Sequence, residues 1–360
     1  MMNSKPATSN TGPDLKGLSM AETEAWAAEL GIPPYRARQI RRWIFSKLVQ
    51  TFQEMTDLPK DLRAILDHKV RLQNIEIAET LTSQDGTKKY IFRLKDGYLI
   101  ESVLIPERDH LTLCISSQVG CAMGCRFCLT GSQGLYRNLE PGEIVDQVIQ
   151  VKSDISSDSP LTNIVLMGMG EPLANYESVV RALNNIMAPD GMNFSHRKVT
   201  LSTCGLVPQI RRLGGEIDVN LAISLNAADD ETRSYLMPIN RKFPLSSLIH
   251  ACRQYPLKNR RMITFEYVLV KEINDSEADA RRLVALLRGI RAKVNLIPFN
   301  AHEHSGLEPS PMEAVLRFQD VLLKNHLTAI IRKSKGPDIM AACGQLGGSI
   351  SLPKKANVVL

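Results

Sequence analysis

Cys121-Ala122-Met123-Gly124-Cys125-Arg126-Phe127-Cys128 is the stretch that decides the fold of this chain. Its three cysteines have the spacing C-x3-C-x2-C, and no fourth cysteine follows close behind. A structural zinc site needs four ligands, whereas a four-iron cubane held by three thiolates keeps one iron open. S-adenosylmethionine (SAM) can bind that iron through its amino and carboxylate groups, and one electron can then release an adenosyl radical. The spacing therefore predicts radical chemistry at a [4Fe-4S] cluster.

A zinc knuckle with a distant fourth ligand is the alternative for the same three cysteines. The preceding sequence favours the cluster, because residues 111–116 have the pattern of a buried strand and the cysteines follow in a glycine-containing loop. Barrels and open parallel sheets hold their chemistry at the C-terminal ends of strands. We therefore expect the cysteines at the functional edge of an α/β sheet.

Size and composition set the broad class of the protein. The chain has 360 residues, 44% hydrophobic and 23% charged, which allows one large domain and one small one. A net charge of +6 and a pI of about 8.9 are compatible with an anionic partner such as nucleic acid. No apolar run is long enough for a membrane helix. An odd count of seven cysteines argues against a full disulfide framework, and a cluster-bound set suits a reducing cytoplasm.

The N-terminal part of the sequence predicts a polar tail and a helical head. Residues 1–18 lack an apolar signal core and are expected to form a disordered tail. Ser19 and Glu22 have capping-box spacing at the start of a helix, and a second helix is expected from about Tyr35. The second helix carries several cations and no acid. We expect a helix-hairpin-helix-like, RNA-binding head at 19–73, with a solvated charged face as the alternative.

Strand signals dominate the rest of the chain. Asp85-Gly86 and Asp96-Gly97 predict hairpin turns and an antiparallel linker at 74–105. From residue 106 to 350, six strand candidates alternate with helices, at 111–116, 163–167, 198–203, 219–225, 264–270 and 293–297. Six units are too few for a full eight-fold barrel. The expected fold class is therefore α/β, a partial (β/α)6 barrel, with a tail at 351–360.

Polar residues recur where the predicted strands end. Gly170 and Glu171 follow the second strand, and the next ends carry serine or amide groups at Ser202, Ser224, Asn226 and Asn300. Hydroxyl and amide groups gathered at one sheet edge suit an adenosine and an amino-acid tail. Each of them alone is equally compatible with a helix N-cap, and the Gly-x-Gly with a plain tight turn.

Two further cysteines stand out for their positions. Cys114 lies on the strand that enters the cysteine loop, and Cys343 lies among small residues and glycines. A mobile thiol in such a loop suits nucleophilic chemistry, with a buried structural cysteine as the alternative. Cys204 and Cys252 are interpreted as structural.

Together these motifs resemble those of the RlmN family of radical-SAM RNA methyltransferases, which methylate C2 of adenine. The resemblance runs from about residue 19 to 350 and includes the cysteine loop, residues 137–139, 142–145, 167–172, 222–225, 295–298 and 341–346. It implies a radical-SAM barrel with an N-terminal RNA-binding domain.

The resemblance implies a role for each matching residue. Cys121, Cys125 and Cys128 would hold the [4Fe-4S] cluster, Cys343 would carry the methyl group, Cys114 would resolve it, and Glu101 would accept a proton. The SAM contacts would be Gly170, Glu171, Ser202, Ser224, Leu225, Asn226 and Asn300. Two positions depart from the common pattern, since Asn226 stands where many members have His and Leu129 where many have Ala.

The implied reaction uses two SAM molecules per turnover. One methylates Cys343, the second yields the radical that activates this methyl group for addition to adenine, and a Cys114–Cys343 disulfide releases the product. The adenosine, in 23S rRNA or in tRNA, must be unstacked. A flavodoxin or ferredoxin electron donor, a monomeric state and a cytoplasmic location complete these expectations. Alternatives are a C8-methylating, Cfr-like enzyme, a radical-SAM lyase or activase without RNA, and a zinc-dependent RNA-binding protein.

Overall fold

The computed structural model describes residues 12–155, 160–302 and 305–347. Within these ranges a helical head precedes a ten-stranded sheet whose parallel strands alternate with helices. The structure thus confirms the predicted α/β partial barrel. Every helix in the described ranges is too short or too polar to cross a lipid bilayer.

Three helices form the head, α1 (Met20–Glu29), α2 (Pro34–Phe45) and α3 (Lys60–Lys69). Ser19 caps α1 as predicted, since its hydroxyl accepts from the Glu22 N–H and the Glu22 carboxylate accepts from the Ser19 N–H. The predicted basic face of α2 is only partly free. Arg41 is buried, with its Nε 3.0 Å from Asp190 Oδ2 and its Nη1 donating to the Leu18 carbonyl. Arg41 therefore fastens the head to the barrel instead of facing solvent.

The prediction of a disordered tail at residues 1–18 is wrong for those of its residues that the structure describes. Residues 1–11 lie outside the described ranges, but residues 12–18 are folded against the head and the barrel. Lys16 is fully buried, and its Nζ lies 2.5 Å from Asp146 Oδ1 on the barrel. A buried charge needs a partner of opposite sign, and the partner of Lys16 is more than a hundred residues away. No local pattern could indicate this.

The strands are β1 (Ile75–Thr82), β2 (Lys88–Leu94), β3 (Leu99–Pro106), β4 (Leu111–Cys114), β5 (Gln118–Cys121), β6 (Gly134–Asn138), β7 (Leu161–Leu166), β8 (Val199–Thr203), β9 (Asn220–Ser224), β10 (Ile263–Leu269), β11 (Ala292–Pro298) and β12 (Thr328–Ile331). The main sheet has the order β1-β2-β3-β4-β7-β8-β9-β10-β11-β12. The pairs from β4 to β12 are parallel. All six predicted barrel strands are present, with β12 as a seventh.

The predicted antiparallel linker is continuous with the barrel sheet. Both Asp-Gly turns are present, with Gly86 at φ 83° and Gly97 at φ 87°, where the absence of Cβ avoids strain. β3 pairs antiparallel with β4, with Val103 opposite Cys114. This segment therefore extends the wall of the barrel.

Period-two alternation decides which side chains reach the barrel interior. On β10, Ile263, Phe265, Tyr267 and Leu269 are completely buried on one face. Thr264 and Glu266, on the opposite face, line an internal cavity. Polar residues on alternate strand positions thus point into the barrel.

The helices that follow the head are α4 (Leu129–Ser132), α5 (Pro141–Asp154), α6 (Tyr176–Met187), α7 (Val207–Glu216), α8 (Asp230–Leu236), α9 (Leu245–Gln254), α10 (Glu277–Leu287) and α11 (Met312–Lys324). The cysteine loop does not follow β4 directly, as the sequence suggested. Strand β5 intervenes, with Cys121 as its last residue, and it pairs with β6, which follows the loop.

Candidate active site

The three clustered cysteines border one end of a cavity at the C-terminal edge of the sheet. Cys121, Cys125 and Cys128 line this upper cavity, whose volume is about 160 Å³. Gly124, between the first two cysteines, has φ 63°, and the Cys128 N–H donates to the Cys125 carbonyl, so the loop turns sharply. Burial raises the pKa of the Cys121 thiol to about 12 and also raises the pKa values of the other two thiols.

The donor set around this cavity fits a multinuclear cluster. Among the described residues, no three His, Cys, Asp or Glu side chains converge tightly enough to hold a single metal ion. The three thiols instead border an open space whose far wall is formed by strand ends. Thiolates are the ligands that iron–sulfur clusters prefer, and the wall opposite the cysteines leaves room for a further ligand.

Most of the predicted SAM contacts meet at this upper cavity. Its lining includes Gly170, Glu171, Ser202, Ser224, Asn226 and Asn300, which come from the ends of four strands, β7, β8, β9 and β11. Leu225 is the exception, because it is fully buried and outside the lining. Its backbone N–H donates to the Glu266 carbonyl, and its own carbonyl accepts from Arg233. The polar contacts of Leu225 are therefore made by its backbone, which links the end of β9 to β10 and α8.

Glu171 is a buried carboxylate that already has partners. One oxygen accepts from the Leu173 N–H at 3.0 Å and the other from the Cys204 N–H at 2.8 Å. Burial raises its pKa, which these hydrogen bonds partly offset. Glu171 therefore ties the loop after β7 to the end of β8, and a cofactor ammonium group would share its oxygens with these donors.

The glycines of the Gly168-Met169-Gly170 stretch are required by close packing within the chain. A Cβ on Gly168 would lie 2.7 Å from the Ile115 carbonyl oxygen. Gly170 has φ 103°, and a Cβ there would lie 2.6 Å from Gln118 Cβ. Close packing within the chain thus explains both glycines, although Gly170 also borders the upper cavity.

Asn226 occupies a backbone conformation that few residues tolerate. Its φ is 60°, a left-handed value at which asparagine is enriched. Its Oδ1 accepts from the Val268 N–H at 2.8 Å, and its own carbonyl accepts from Asn274. The side chain is therefore occupied in holding the ends of β9 and β10 together while it lines the upper cavity.

Cys343 lies where two cavities meet. It lines the upper cavity and also a lower chamber of about 440 Å³ inside the barrel, which Cys114 lines as well. Cys343 is exposed, whereas Cys114 is buried. Desolvation by the surrounding protein, followed by the charge of Glu266, raises the pKa of the Cys343 thiol to about 11. All seven cysteines lie in the described ranges and are free thiols, so the expected disulfide is not present.

Residues 332–347, which we call the cysteine strap, carry Cys343 across the barrel. Asn300 Nδ2 donates to the Cys343 carbonyl, and the Gly344 carbonyl accepts from the Leu129 N–H beside the cluster loop. Thr130 and Gln133 donate to the carbonyls of Leu346 and Gly347. The strap and the cysteine loop are therefore bonded directly to each other.

Glu101 lies beneath the strap. It is completely buried on β3, and its Oε2 accepts from the Gly347 N–H at 2.7 Å. Its Oε1 lies 3.6 Å from the ammonium group of the equally buried Lys89. Burial raises the pKa of Glu101, which Lys89 partly offsets. Val103 and Ile105, on the same face of β3, line the lower chamber, but Glu101 lines neither cavity.

The comparisons with known proteins agree with this geometry. The model of the radical SAM superfamily matches residues 115–284, and that of the ribosomal RNA large subunit methyltransferase N-terminal domain matches residues 13–72. A dual-specificity RNA methyltransferase RlmN from Syntrophotalea carbinolica is 53% identical over 345 residues, 96% of this chain and 92% of the relative. The chain belongs to the RlmN family.

Another RlmN relative and a solved structure extend the comparison. The relative from Geobacter sulfurreducens is 52% identical over 344 residues, 96% of this chain and 94% of its own. The crystal structure of a radical SAM methyltransferase from Sphaerobacter thermophilus has a TM-score of 0.90 at 45% identity, covering 93% of this chain and 99% of that one. The protein is therefore a radical-SAM methyltransferase, and its superfamily implies a [4Fe-4S] cluster and SAM as cofactors.

Sequence reasoning missed two buried cations of this RlmN-family site. Arg233 on α8 is completely buried and donates to the carbonyls of Cys204, Leu225 and Ser224, which joins the ends of β8 and β9. Lys89 lies beside Glu101 and donates to the Met340 carbonyl of the strap. Only the three-dimensional fold reveals them, because charged residues in a helix or an edge hairpin usually face solvent.

Proposed function

We propose that the protein methylates C2 of an adenosine in 23S rRNA and in tRNA, through a methyl group carried on Cys343. The observation that carries this proposal is the position of Cys343, which borders both the upper cavity and the lower chamber. A group attached to its sulfur has access to a cofactor on one side and to a substrate on the other. The names of the relatives, dual-specificity RNA methyltransferases, support RNA as that substrate.

The first step is a displacement at the methyl carbon of SAM. The Cys343 thiolate attacks the methyl carbon of SAM, a new carbon–sulfur bond forms, and S-adenosylhomocysteine leaves. The raised pKa of Cys343 keeps most of the thiol protonated near neutral pH. A sulfonium cation bound in the upper cavity would lower this pKa, because a nearby positive charge favours the thiolate. Methyl transfer is thus coupled to SAM binding.

A bound [4Fe-4S] cluster at Cys121, Cys125 and Cys128 would supply the electron that cleaves a second SAM molecule. Adenine C2 is not a nucleophile, which makes radical activation of the methyl group on Cys343 necessary. Cys114 is suited to resolve the intermediate, since its buried thiol lines the same chamber. Attack of the Cys114 sulfur on the Cys343 sulfur forms a disulfide and breaks the bond between the Cys343 sulfur and the transferred carbon; this carbon takes up the proton that the Cys114 thiol loses, and the methylated base is released.

Glu101 is proposed to take the ring proton of the adduct. Its raised pKa and its place on the chamber-facing side of β3 support this role. The Gly347 N–H now occupies one of its oxygens. We propose that the strap moves when RNA binds, which would uncover this carboxyl group.

A flavodoxin or ferredoxin is proposed as electron donor, because the reaction consumes electrons at the cluster and at the disulfide. We also propose that the protein works as a monomer in the cytoplasm. A C8-methylating activity is the alternative outcome for the same cysteines.

The proposal is tested by mass spectrometry of protein and RNA. We expect Cys114→Ala, purified anaerobically, to retain a methylated Cys343, and the matched control Cys252→Ala, a buried cysteine on α9, to behave as the unmodified protein does. RNA nucleosides from cells with and without the gene should differ in 2-methyladenosine. Detection of 8-methyladenosine would establish the alternative, and an unmodified Cys343 would contradict the mechanism.

A further inference from the structure

Arg233 on α8 is a buried cation whose hydrogen bonds all run to neutral groups. Its side chain is completely buried. Its Nε donates to the Leu225 carbonyl at 3.0 Å, and its Nη1 donates to Asn240 Oδ1 at 2.9 Å. Its Nη2 donates to the carbonyls of Cys204 and Ser224, at 2.8 and 3.2 Å. The guanidinium group is thus well supplied with acceptors, but none of these acceptors carries a negative charge.

The protein groups that the structure describes leave the charge of Arg233 without a counter-ion. The buried cations Lys16 and Lys89 each face a buried carboxylate, whereas within the described ranges Arg233 takes part in no ion pair. Asp230 is the carboxylate whose charge acts on Arg233, but its Oδ1 accepts from Asn240 at 2.9 Å instead. An arginine side chain stays protonated in proteins, and a buried charge requires compensation. A further negative charge is therefore expected close to this guanidinium group.

The surroundings of Arg233 belong to the cysteine site. Burial lowers the pKa of Arg233, and negative charge on Cys204 or Cys125 would raise it. Both cysteines line the upper cavity. The helix that carries Arg233 also contacts the cysteine loop, because the Arg126 N–H donates to the Leu236 carbonyl at 3.0 Å. Arg233 therefore lies behind the wall that Cys125 and Cys204 contribute to the upper cavity.

A cluster held by three thiolates would supply the missing negative charge. Each thiolate ligand carries a negative charge, and uptake of one electron adds another. The reduction potential of such a cluster depends on the net charge around it, on hydrogen bonds to its sulfur atoms and on solvent exposure. A buried cation acts strongly on this potential, because little water screens it. Since a positive charge favours the more negative, reduced form, it raises the potential.

We propose that Arg233 is the counter-charge of the [4Fe-4S] cluster and raises its reduction potential. The hydrogen bonds of Arg233 to the ends of β8 and β9 hold the guanidinium group in place, so that it needs no rearrangement when the electron arrives. Arg233 is in this sense a positioning residue, which acts on the cluster by its charge. This inference rests on the proposed function, since it requires the cluster at Cys121, Cys125 and Cys128.

The experiment separates the charge of Arg233 from its hydrogen bonds. Arg233→Lys keeps a positive charge with fewer donors, and Arg233→Gln keeps an amide donor without the charge. The matched control is Arg253→Gln, which removes an exposed cation from α9. The unmodified protein and the three variants, as full chains reconstituted anaerobically with iron and sulfide, are titrated with dithionite in the presence of redox mediators. Electron paramagnetic resonance measures the fraction of reduced cluster.

Loss of the charge should make the cluster harder to reduce. We expect Arg233→Gln to decrease the equilibrium constant for reduction about tenfold, which lowers the midpoint potential of a one-electron couple by about 59 mV. Arg233→Lys and Arg253→Gln should remain close to the unmodified protein. An unchanged potential in Arg233→Gln, a shift of Arg233→Lys as large as that of Arg233→Gln, or an equal shift in the control would overturn the proposal.

A variant that binds no cluster is also informative. Loss of iron from Arg233→Gln with retention in Arg233→Lys supports the counter-charge, because only the charge distinguishes the two in this sense. Loss of iron from Arg233→Lys, with or without Arg233→Gln, overturns it, because hydrogen bonding alone would then explain the residue. A failure of the proposed function looks different: the unmodified protein would give no four-iron signal, whereas a normal signal that is insensitive to Arg233→Gln contradicts only the role of Arg233.

Discussion

Replacing Lys16 by methionine should destabilise the protein and loosen its head. Lys16 and Asp146 are both completely buried, with 2.5 Å between Lys16 Nζ and Asp146 Oδ1. Removing one partner of a buried ion pair costs about 3–5 kcal/mol, because the other charge stays buried without compensation. The N–H groups of Asn74 and Ile75 still donate to Asp146 Oδ2, at 2.8 and 3.3 Å. We therefore expect the lower limit, about 3 kcal/mol.

The assay is thermal unfolding followed by circular dichroism, on the full chain. A loss of about 3 kcal/mol should lower Tm by about 6–12 °C. The control Lys60→Met removes an exposed cation of the head and should leave Tm nearly unchanged. The double variant Lys16→Met/Asp146→Asn should recover much of the loss, because asparagine keeps an acceptor for the Asn74 N–H without a buried charge.

Two results would refute this reasoning. One is a Lys16→Met protein within about 1 kcal/mol of the unmodified protein, which is the range of an exposed ion pair. The other is a double variant no more stable than Lys16→Met alone, because the loss would then not arise from the uncompensated carboxylate.

Three further predictions follow from the site. At limiting SAM, methylation of Cys343 should accelerate about tenfold per pH unit between pH 6 and 8, because burial raises the pKa of the thiol in the SAM-free protein to about 11 and the thiolate reacts; intact-mass kinetics that are independent of pH would contradict this. Arg233→Met should cost about 2–5 kcal/mol and weaken SAM binding, because it leaves three carbonyls, two of them buried, without this donor; calorimetric titration is the measurement, exposed Arg253→Met is the control, and equal behaviour of the two variants would contradict the role of Arg233. Although burial raises its pKa, hydrogen bonds from Thr87 and the Gly336 N–H lower the pKa of Asp85 to about 2. A carboxyl group whose pKa is lower in the folded protein stabilises the fold at pH values above its unfolded-state pKa, and this stabilisation is lost as pH falls through the folded-state pKa. The strap should therefore loosen between about pH 4 and pH 2. The measurement is the hydrogen-exchange rate of the Gly336 amide in the unmodified protein and in Asp85→Asn, and equal rates in the two proteins would contradict the prediction.

Local patterns were sufficient to predict the regular elements and the cysteine loop. Ser19 and Glu22 form their capping box, and both Asp-Gly turns are present, because these signals act within a few residues. The polar strand ends also converge, since parallel strands all end at one edge of the sheet. The period of the hydrophobic pattern therefore predicts the helices and strands, and the shared direction of parallel strands predicts that their ends meet.

Long-range partners could not be predicted in this way. Lys16, Lys89, Arg41 and Arg233 look like surface cations in sequence, yet each is buried against groups contributed by other elements. The partner of Lys89 lies across the β2–β3 pair, and those of Lys16 and Arg41 lie more than a hundred residues away. Charged side chains are buried only when the fold supplies such partners. A single sequence does not record which distant groups will meet.

The contacts of the strap imply that the cluster site and the methyl-carrying thiol are coupled. Leu129 and Thr130, directly after the third cysteine, bond to the backbone of Gly344 and Leu346. Glu101 holds the Gly347 N–H on the other side. Any shift of the cysteine loop would therefore be transmitted through these hydrogen bonds to Cys343, one residue before Gly344. These bonds use backbone atoms of the strap, while Cys343 and the strap cations Arg332, Lys333 and Lys335 line the chamber.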